Sequence, residues 1–163
     1  MTVKNTGKLN VATPTDREIV ITRVLDAPRN LVFDAMCKPE LLKRWLYGPE
    51  RWKLAVCDMD VRPGGKIRWV WSDPDGKEMG LKVVYNDVVP PERLGHTELF
   101  DEDWTGGETL VTITFTERDG KTTCAMTVLY SSMEARDAAV KTGMTDGMEM
   151  GYDRLDKIFA EMA

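Results

Sequence analysis

Residues 144–163 read MTDGMEMGYDRLDKIFAEMA, and this stretch decides the fold. Advanced by about 100° per residue, Met144, Met148, Gly151, Tyr152, Leu155, Ile158, Phe159 and Met162 fall in one apolar sector. Asp146, Glu149, Asp153, Asp156 and Lys157 fall on the opposite side, which reads as a solvated face. An amphipathic helix of this strength must lay its apolar side on a greasy partner. Just upstream, Ser131-Ser132-Met133-Glu134 has the spacing of a capping box, with Ser131 as N-cap and Glu134 reaching back from the third helical position. The helical end of the chain therefore starts there, with a break near Gly143.

The partner is supplied by the middle of the chain. Residues 66–72 alternate cleanly, with Ile67, Trp69 and Trp71 on one face and Lys66, Arg68 and Ser72 on the other. Asp73-Pro74-Asp75-Gly76 is a hairpin signal, and Met79, Leu81, Val83 and Tyr85 share a face on the following strand, 78–88. Further strands are expected at 52–61, 93–100, 108–117 and 122–130, the last two joined across Asp119-Gly120. Tight turns without intervening helices make an antiparallel meander. Ahead of it, residues 18–25 read as a strand. Asp26-Ala27-Pro28 opens a helix running to about Cys37 over Leu31, Val32 and Ala35, and a second short helix runs from Pro39-Glu40 to near Gly48-Pro49. Residues 1–16 read as a flexible lead-in and 17–163 as one domain. The order is strand, two short helices, six strands and a long helix. It predicts an α+β fold in which a twisted seven-stranded antiparallel sheet bends around the terminal helix.

Composition narrows the function. With 22 Lys and Arg against 27 Asp and Glu the chain carries a net charge of -5, which disfavours nucleic acid and anionic membranes as partners because phosphate contacts need clustered cations. No run approaches the roughly 18–20 apolar residues of a membrane span, and the N-terminus has no apolar signal core. Cys37, Cys57 and Cys124 are odd in number and far apart, and His96 is the single histidine, so neither a disulfide framework nor a metal site is indicated. The expectation is a reduced, soluble, cytoplasmic protein without a cofactor.

What remains points to a pocket. Gly143, Gly147 and Gly151 recur every fourth residue, although each interior helical glycine costs about 1 kcal/mol relative to alanine. They serve as joints and close-approach points, or they leave room for a ligand between helix and sheet; the acidic residues among them rule out a transmembrane helix pair. Ten methionines is a high share. Met144 and Met148 on the helix and Met79 and Met126 on strands would give an adaptable lining. Trp69 and Trp71 share one strand face, Trp45 and Trp52 flank the Gly48-Pro49 corner, and Trp104 lies in an acidic loop expected at the surface. His96 alternates with Leu94 and Glu98, so all three face one way. No nucleophile motif, matched carboxylate pair or phosphate-binding glycine loop accompanies it.

Several segments together resemble the activator of Hsp90 ATPase-like family, within the START/SRPBCC superfamily of helix-grip domains. They are Arg23, Asp26-Ala27-Pro28, Val32-Phe33-Asp34-Ala35, Pro39-Glu40-Leu41 and Trp45 with Gly48-Pro49. Asp60 to Gly65, Asp75-Gly76, Pro90 to Leu94, Glu134 to Asp137, Thr142-Gly143-Met144 and Gly151 to Leu155 continue the match. The resemblance spans 17–160. It implies a curved sheet gripping the C-terminal helix with a deep apolar cavity between them, and superfamily branches that bind lipids, sterols, hormones or polyketides or catalyse cyclisation or hydrolysis. The first expectation is non-catalytic carriage or sensing of a small hydrophobic molecule, lipid or aromatic. Its site would comprise Trp45, Trp69, Trp71, Met79, His96, Met126, Met144, Met148 and Tyr152. The alternatives are a stress- or chaperone-associated interaction module, with a chaperone as partner, and a cyclase- or hydrolase-like enzyme using His96.

Overall fold

The strand Glu18–Leu25 is the point from which the sheet grows in both directions. The structure, a computed structural model, describes residues 2–5, 8–102 and 106–162. Among these, nine strands form one antiparallel sheet: β1 (Thr2–Asn5), β2 (Leu9–Ala12), β3 (Glu18–Leu25), β4 (Lys53–Met59), β5 (Lys66–Ser72), β6 (Glu78–Val89), β7 (Arg93–Phe100), β8 (Thr109–Arg118) and β9 (Lys121–Leu129). Their spatial order is β1-β2-β3-β9-β8-β7-β6-β5-β4, so the last strand closes onto the third. Four helices complete the fold: α1 (Arg29–Cys37), α2 (Pro39–Leu42), α3 (Met133–Lys141) and α4 (Met144–Met162).

Local chemistry sets the turns. Asp73 Oδ1 accepts from the backbone N–H groups of Asp75 and Lys77, at 3.0 and 2.8 Å, pinning the β5–β6 hairpin. Asp119 and Gly120, at φ +54° and +77°, make the two-residue turn between β8 and β9. Period-two alternation then sorts each strand. Ile19, Ile21, Leu25, Val111, Ile113, Phe115, Cys124 and Val128 are buried beneath α4 and α1, while Val20, Thr22, Thr114 and Thr116 face outward. On α4, Tyr152, Leu155, Ile158 and Phe159 are buried as the helical period requires, and Met162 is exposed at the end.

The seven expected strands are present, and the fold is the α+β helix grip. The sheet is two strands wider than expected, because part of the segment read as a flexible lead-in belongs to it. Leu9 and Val11 are completely buried opposite Arg23 and Ile21, so β2 covers a flank of β3 that would otherwise stay wet. The second short helix stops at Leu42, not near Gly48. Arg44 N–H and Trp45 N–H then bond carbonyls three residues back, a tightening that brings the Trp45 indole within 2.9 Å of the Ala35 carbonyl. The helix cap is also shifted by one residue. Ser132 is the N-cap of α3 and accepts from the Ala135 N–H, while Ser131 donates to the Gly106 carbonyl. Trp104 lies outside the described residues.

Candidate functional site

Strand register arranges the inner face of the sheet in rows. One row holds Tyr85, His96, Val111, Val128 and Ile19. The next, toward Leu25, holds Leu94, Ile113, Met126, Ile21 and Val11. On the other side of the His96 row lie Val83, Glu98 and Thr109. The terminal helix runs across these rows: Tyr130, at the end of β9, donates its hydroxyl to Met144 Sδ at 3.4 Å, and two turns later Tyr152 bonds the Cys124 thiol and lies beside Arg23. Four helical residues advance about 6 Å. Met148 lies midway between Met144 and Tyr152 on the helix and is partly buried against the core.

Met126 retains accessible surface although its row neighbours Ile21 and Ile113 are 0% and 4% exposed. Met144 and Met148 are likewise only partly buried. The inner face of the sheet and the sheet-facing side of α4 thus carry three flexible thioethers that are not fully packed.

A polar group lies in the next row, two strands from Met126. His96 is 3% exposed, packs edge-on against Tyr85 with ring centres 5.3 Å apart, and holds Glu98 Oε2 2.7 Å from its Nε2. A carboxylate only accepts, so the pairing places a proton on Nε2, and in the neutral imidazole Nδ1 is then an acceptor. Nδ1 is buried and has no hydrogen-bond partner among the described residues. Leaving such a group unpaired costs about 1–3 kcal/mol, an outlay that usually has a functional explanation. Burial first and Glu98 second push the Tyr130 phenol up to about 12, and burial raises Tyr85 above its ordinary value too, with Cys37 and Glu98 adding to it. Both phenols remain neutral donors.

The predicted residues do not form one group. His96 and Met126 lie on the inner face of the sheet, and Met144 and Met148 pack on the core from α4. Trp45 and Tyr152 form a second unit, with stacked rings at 6.2 Å and 17°, and they serve as a brace between α4 and the chain after α2. Gly151 belongs to this brace, since a Cβ there would touch the Trp45 ring at 3.4 Å and the Trp45 carbonyl at 3.6 Å. Gly143, at φ +78°, is the joint between α3 and α4, and Gly147 faces open space. Trp69 and Trp71 pack edge to face on β5. The Trp71 indole donates to the Leu46 carbonyl, while the Trp69 indole faces the Cys57 thiol without a well-aligned hydrogen bond. Met79 lies opposite Trp71 at the rim and is 40% exposed.

Two functional features were missing from the predicted set. Glu98 and Tyr130 complete the polar group, and alternation was the available signal: Glu98 lies two residues past His96, and Tyr130 continues the inward positions 124, 126 and 128. The charged side of α4 is also not wholly solvated. Asp153 and Asp156 clasp Arg23, whose side chain is 1% exposed, at 2.8 and 2.7 Å. An apolar pocket of about 240 Å3 lies between α1, α2 and the last turns of α4. It is lined by Leu31, Ala35, Leu41, Leu155, Ile158, Phe159 and Met162, with Asp34 and Lys38 beside it, and contains none of the predicted site residues.

The family of proteins described as "Activator of Hsp90 ATPase homolog 1-like protein" matches residues 26–160. The chain belongs to that family. Comparison with curated proteins gives no match. Among solved structures, a crystal structure from Rhodobacter sphaeroides is 34% identical, with a TM-score of 0.89 over 94% of this chain and 99% of that one. A solution structure from Staphylococcus epidermidis is 25% identical, with a TM-score of 0.80 over 94% of each chain. A crystal structure from Mycobacterium smegmatis, 24% identical with a TM-score of 0.80 over 97% and 96%, shares the fold. The helix grip of this family is consistent with ligand binding or with an Hsp90-activator-type module. No helix among the described residues is long and apolar enough to cross a membrane.

Proposed function

We propose that this chain binds a small hydrophobic molecule between the inner face of the sheet and α4, without transforming it. One observation carries the reading: His96 Nδ1 is buried on the inner face of the sheet without a hydrogen-bond partner among the described residues, and Met126 on that face and Met144 and Met148 on α4 are only partly buried. An apolar body would cover the thioethers, and a single polar end would meet the imidazole. Sites for small molecules commonly combine an apolar wall with a few fixed polar groups. Native mass spectrometry of protein purified from its own host tests this by weighing any retained molecule. A panel of lipids and aromatics should raise the melting temperature by mass action, about 2.7 kcal/mol at a hundredfold excess over Kd. A panel without any stabilising member refutes the proposal.

A chaperone-associated role is the second reading, supported by family membership and by the outer face of the sheet. Leu129, Leu110, Thr97 and Val84 form an uncharged row across four adjacent strands, with Leu110 43% and Val84 37% exposed. Recovery of an Hsp90-class chaperone with the purified protein, lost in Leu110→Glu, supports it. The pairing of His96 with Glu98 also supplies the oriented acid/base group that a cyclase- or hydrolase-like enzyme would need, and turnover of a retained ligand, abolished in His96→Asn, is its test.

A further inference from the structure

The charges around His96 say which kind of molecule this site accepts. Positions of β5 to β9 that face inward carry no lysine or arginine among the described residues; their charged members are Glu98 and Glu117. Glu117 is remote from His96, at the α1 end of the sheet, where it accepts from the Arg29 N–H. Arg23, on β3, is already held by two carboxylates. Among the described residues Glu98 is paired with the imidazole, and its side chain, 20% exposed, is largely withdrawn from solvent.

Two consequences follow for a molecule resting on Met126. The first is directional. With Nε2–H given to Glu98, the neutral imidazole presents a lone pair at Nδ1, which asks for an O–H or N–H donor. The second is electrostatic. An anionic head beside His96 would approach Glu98 in a poorly screened interior, where like charges repel far more than in water. A carboxylate head would meet an acceptor and a negative charge at once.

We infer that the ligand's polar end is a hydrogen-bond donor, neutral or cationic (an alcohol, phenol or amine), and that the site excludes carboxylates and phosphates. This specificity rests on the binding reading above and names the ligand class for that same site.

Isothermal titration with matched probes tests it: 1-octanol, octylamine and octanoate, repeated with the hydroxymethyl, aminomethyl and carboxylate derivatives of naphthalene. The donors should bind at least tenfold tighter than the carboxylate in each series. Glu98→Gln, which keeps an acceptor for His96 and removes the charge, should narrow that gap at least fivefold, chiefly by improving carboxylate binding. Met126→Trp, which fills the accessible spot, should abolish binding of all probes. Preference for the carboxylates overturns the inference and leaves the binding reading standing, since it means that the imidazole offers Nδ1–H. A gap unchanged in Glu98→Gln overturns the role given to Glu98. Failure of every probe in both series removes the binding reading and the inference with it.

Discussion

Arg23 and Asp153 meet 2.8 Å apart across the interface between β3 and α4, and Asp156 reaches the same guanidinium nitrogen one turn later. Arg23 is buried and its two partners are partly exposed, so the triad is a peg driven from the sheet into the rim of the helix. Removing the cation leaves two acids facing each other. Arg23→Ala should cost about 2–4 kcal/mol, below the full penalty of a wholly buried pair because both carboxylates keep some water. Arg23→Ala combined with Asp153→Asn and Asp156→Asn should recover part of the loss. Denaturant melts of the single and triple variants check this, and equal stabilities would show that the pairing contributes nothing.

Leu9→Ala should destabilise the protein by about 2–4 kcal/mol, the range for truncating a buried leucine. Its side chain is wholly buried beside Arg23 on β2. A melt unchanged by this substitution would return residues 9–12 to the status of a loose tail.

The three helical glycines should answer substitution differently. Gly147→Ala should stabilise by about 0.5–1 kcal/mol, since the new methyl meets open space and alanine is the better helix former. Gly143→Ala should destabilise by about 1 kcal/mol, because φ is +78° there. Gly151→Ala should be near neutral, its methyl touching Trp45 at ordinary contact distance, whereas Gly151→Leu should dislodge that indole and disturb tryptophan emission. Thermal melts and fluorescence spectra of the four variants distinguish these outcomes.

The protein should lose stability in alkali. Burial pushes the thiols of Cys37 and Cys124 up to about 12 from an ordinary 9, and the Tyr130 phenol up to about 12 from 10. Each group ionises more easily in the unfolded chain. Their contribution is therefore complete below pH 9 and is lost as pH climbs toward 12, at about 1.4 kcal/mol per unit of elevation for each group. Phenolate absorbance should rise together with loss of structure in an alkaline titration. Gradual phenolate formation in a protein that stays folded would contradict the assignment.

The helix grip was legible because its two halves announce themselves by period. Residues 66–72 alternate and 144–162 repeat every 3.6, and neither pattern depends on distant neighbours. The pairing of Leu9 with Arg23 was not legible, since four residues are too short to show alternation and their burial depends on a flank formed elsewhere. Capping failed for a related reason: Ser131 and Ser132 both suit the position, and the Gly106 carbonyl, 25 residues away, decides between them. The inward positions of His96 and Met126 were legible from strand alternation, and the core-facing positions of Met144 and Met148 from the helical period. Trp45 had the right composition for a pocket wall, yet the Ala35 carbonyl and the Tyr152 ring occupy it. Residue type alone does not reveal a satisfied indole.

The strand order has a kinetic consequence. From β4 to β9 each strand pairs with the next in sequence, so that half of the sheet can zip through short hairpins. The seam of β3 with β9, where Glu18 meets Leu129, is the long closure, and only after it forms does Arg23 have a site from which to catch α4. Distant contacts slow folding because their loop entropy is spent before any reward arrives. Refolding speed should accordingly track the strength of this seam, with substitutions at Ile21 retarding folding more than equal losses on β5.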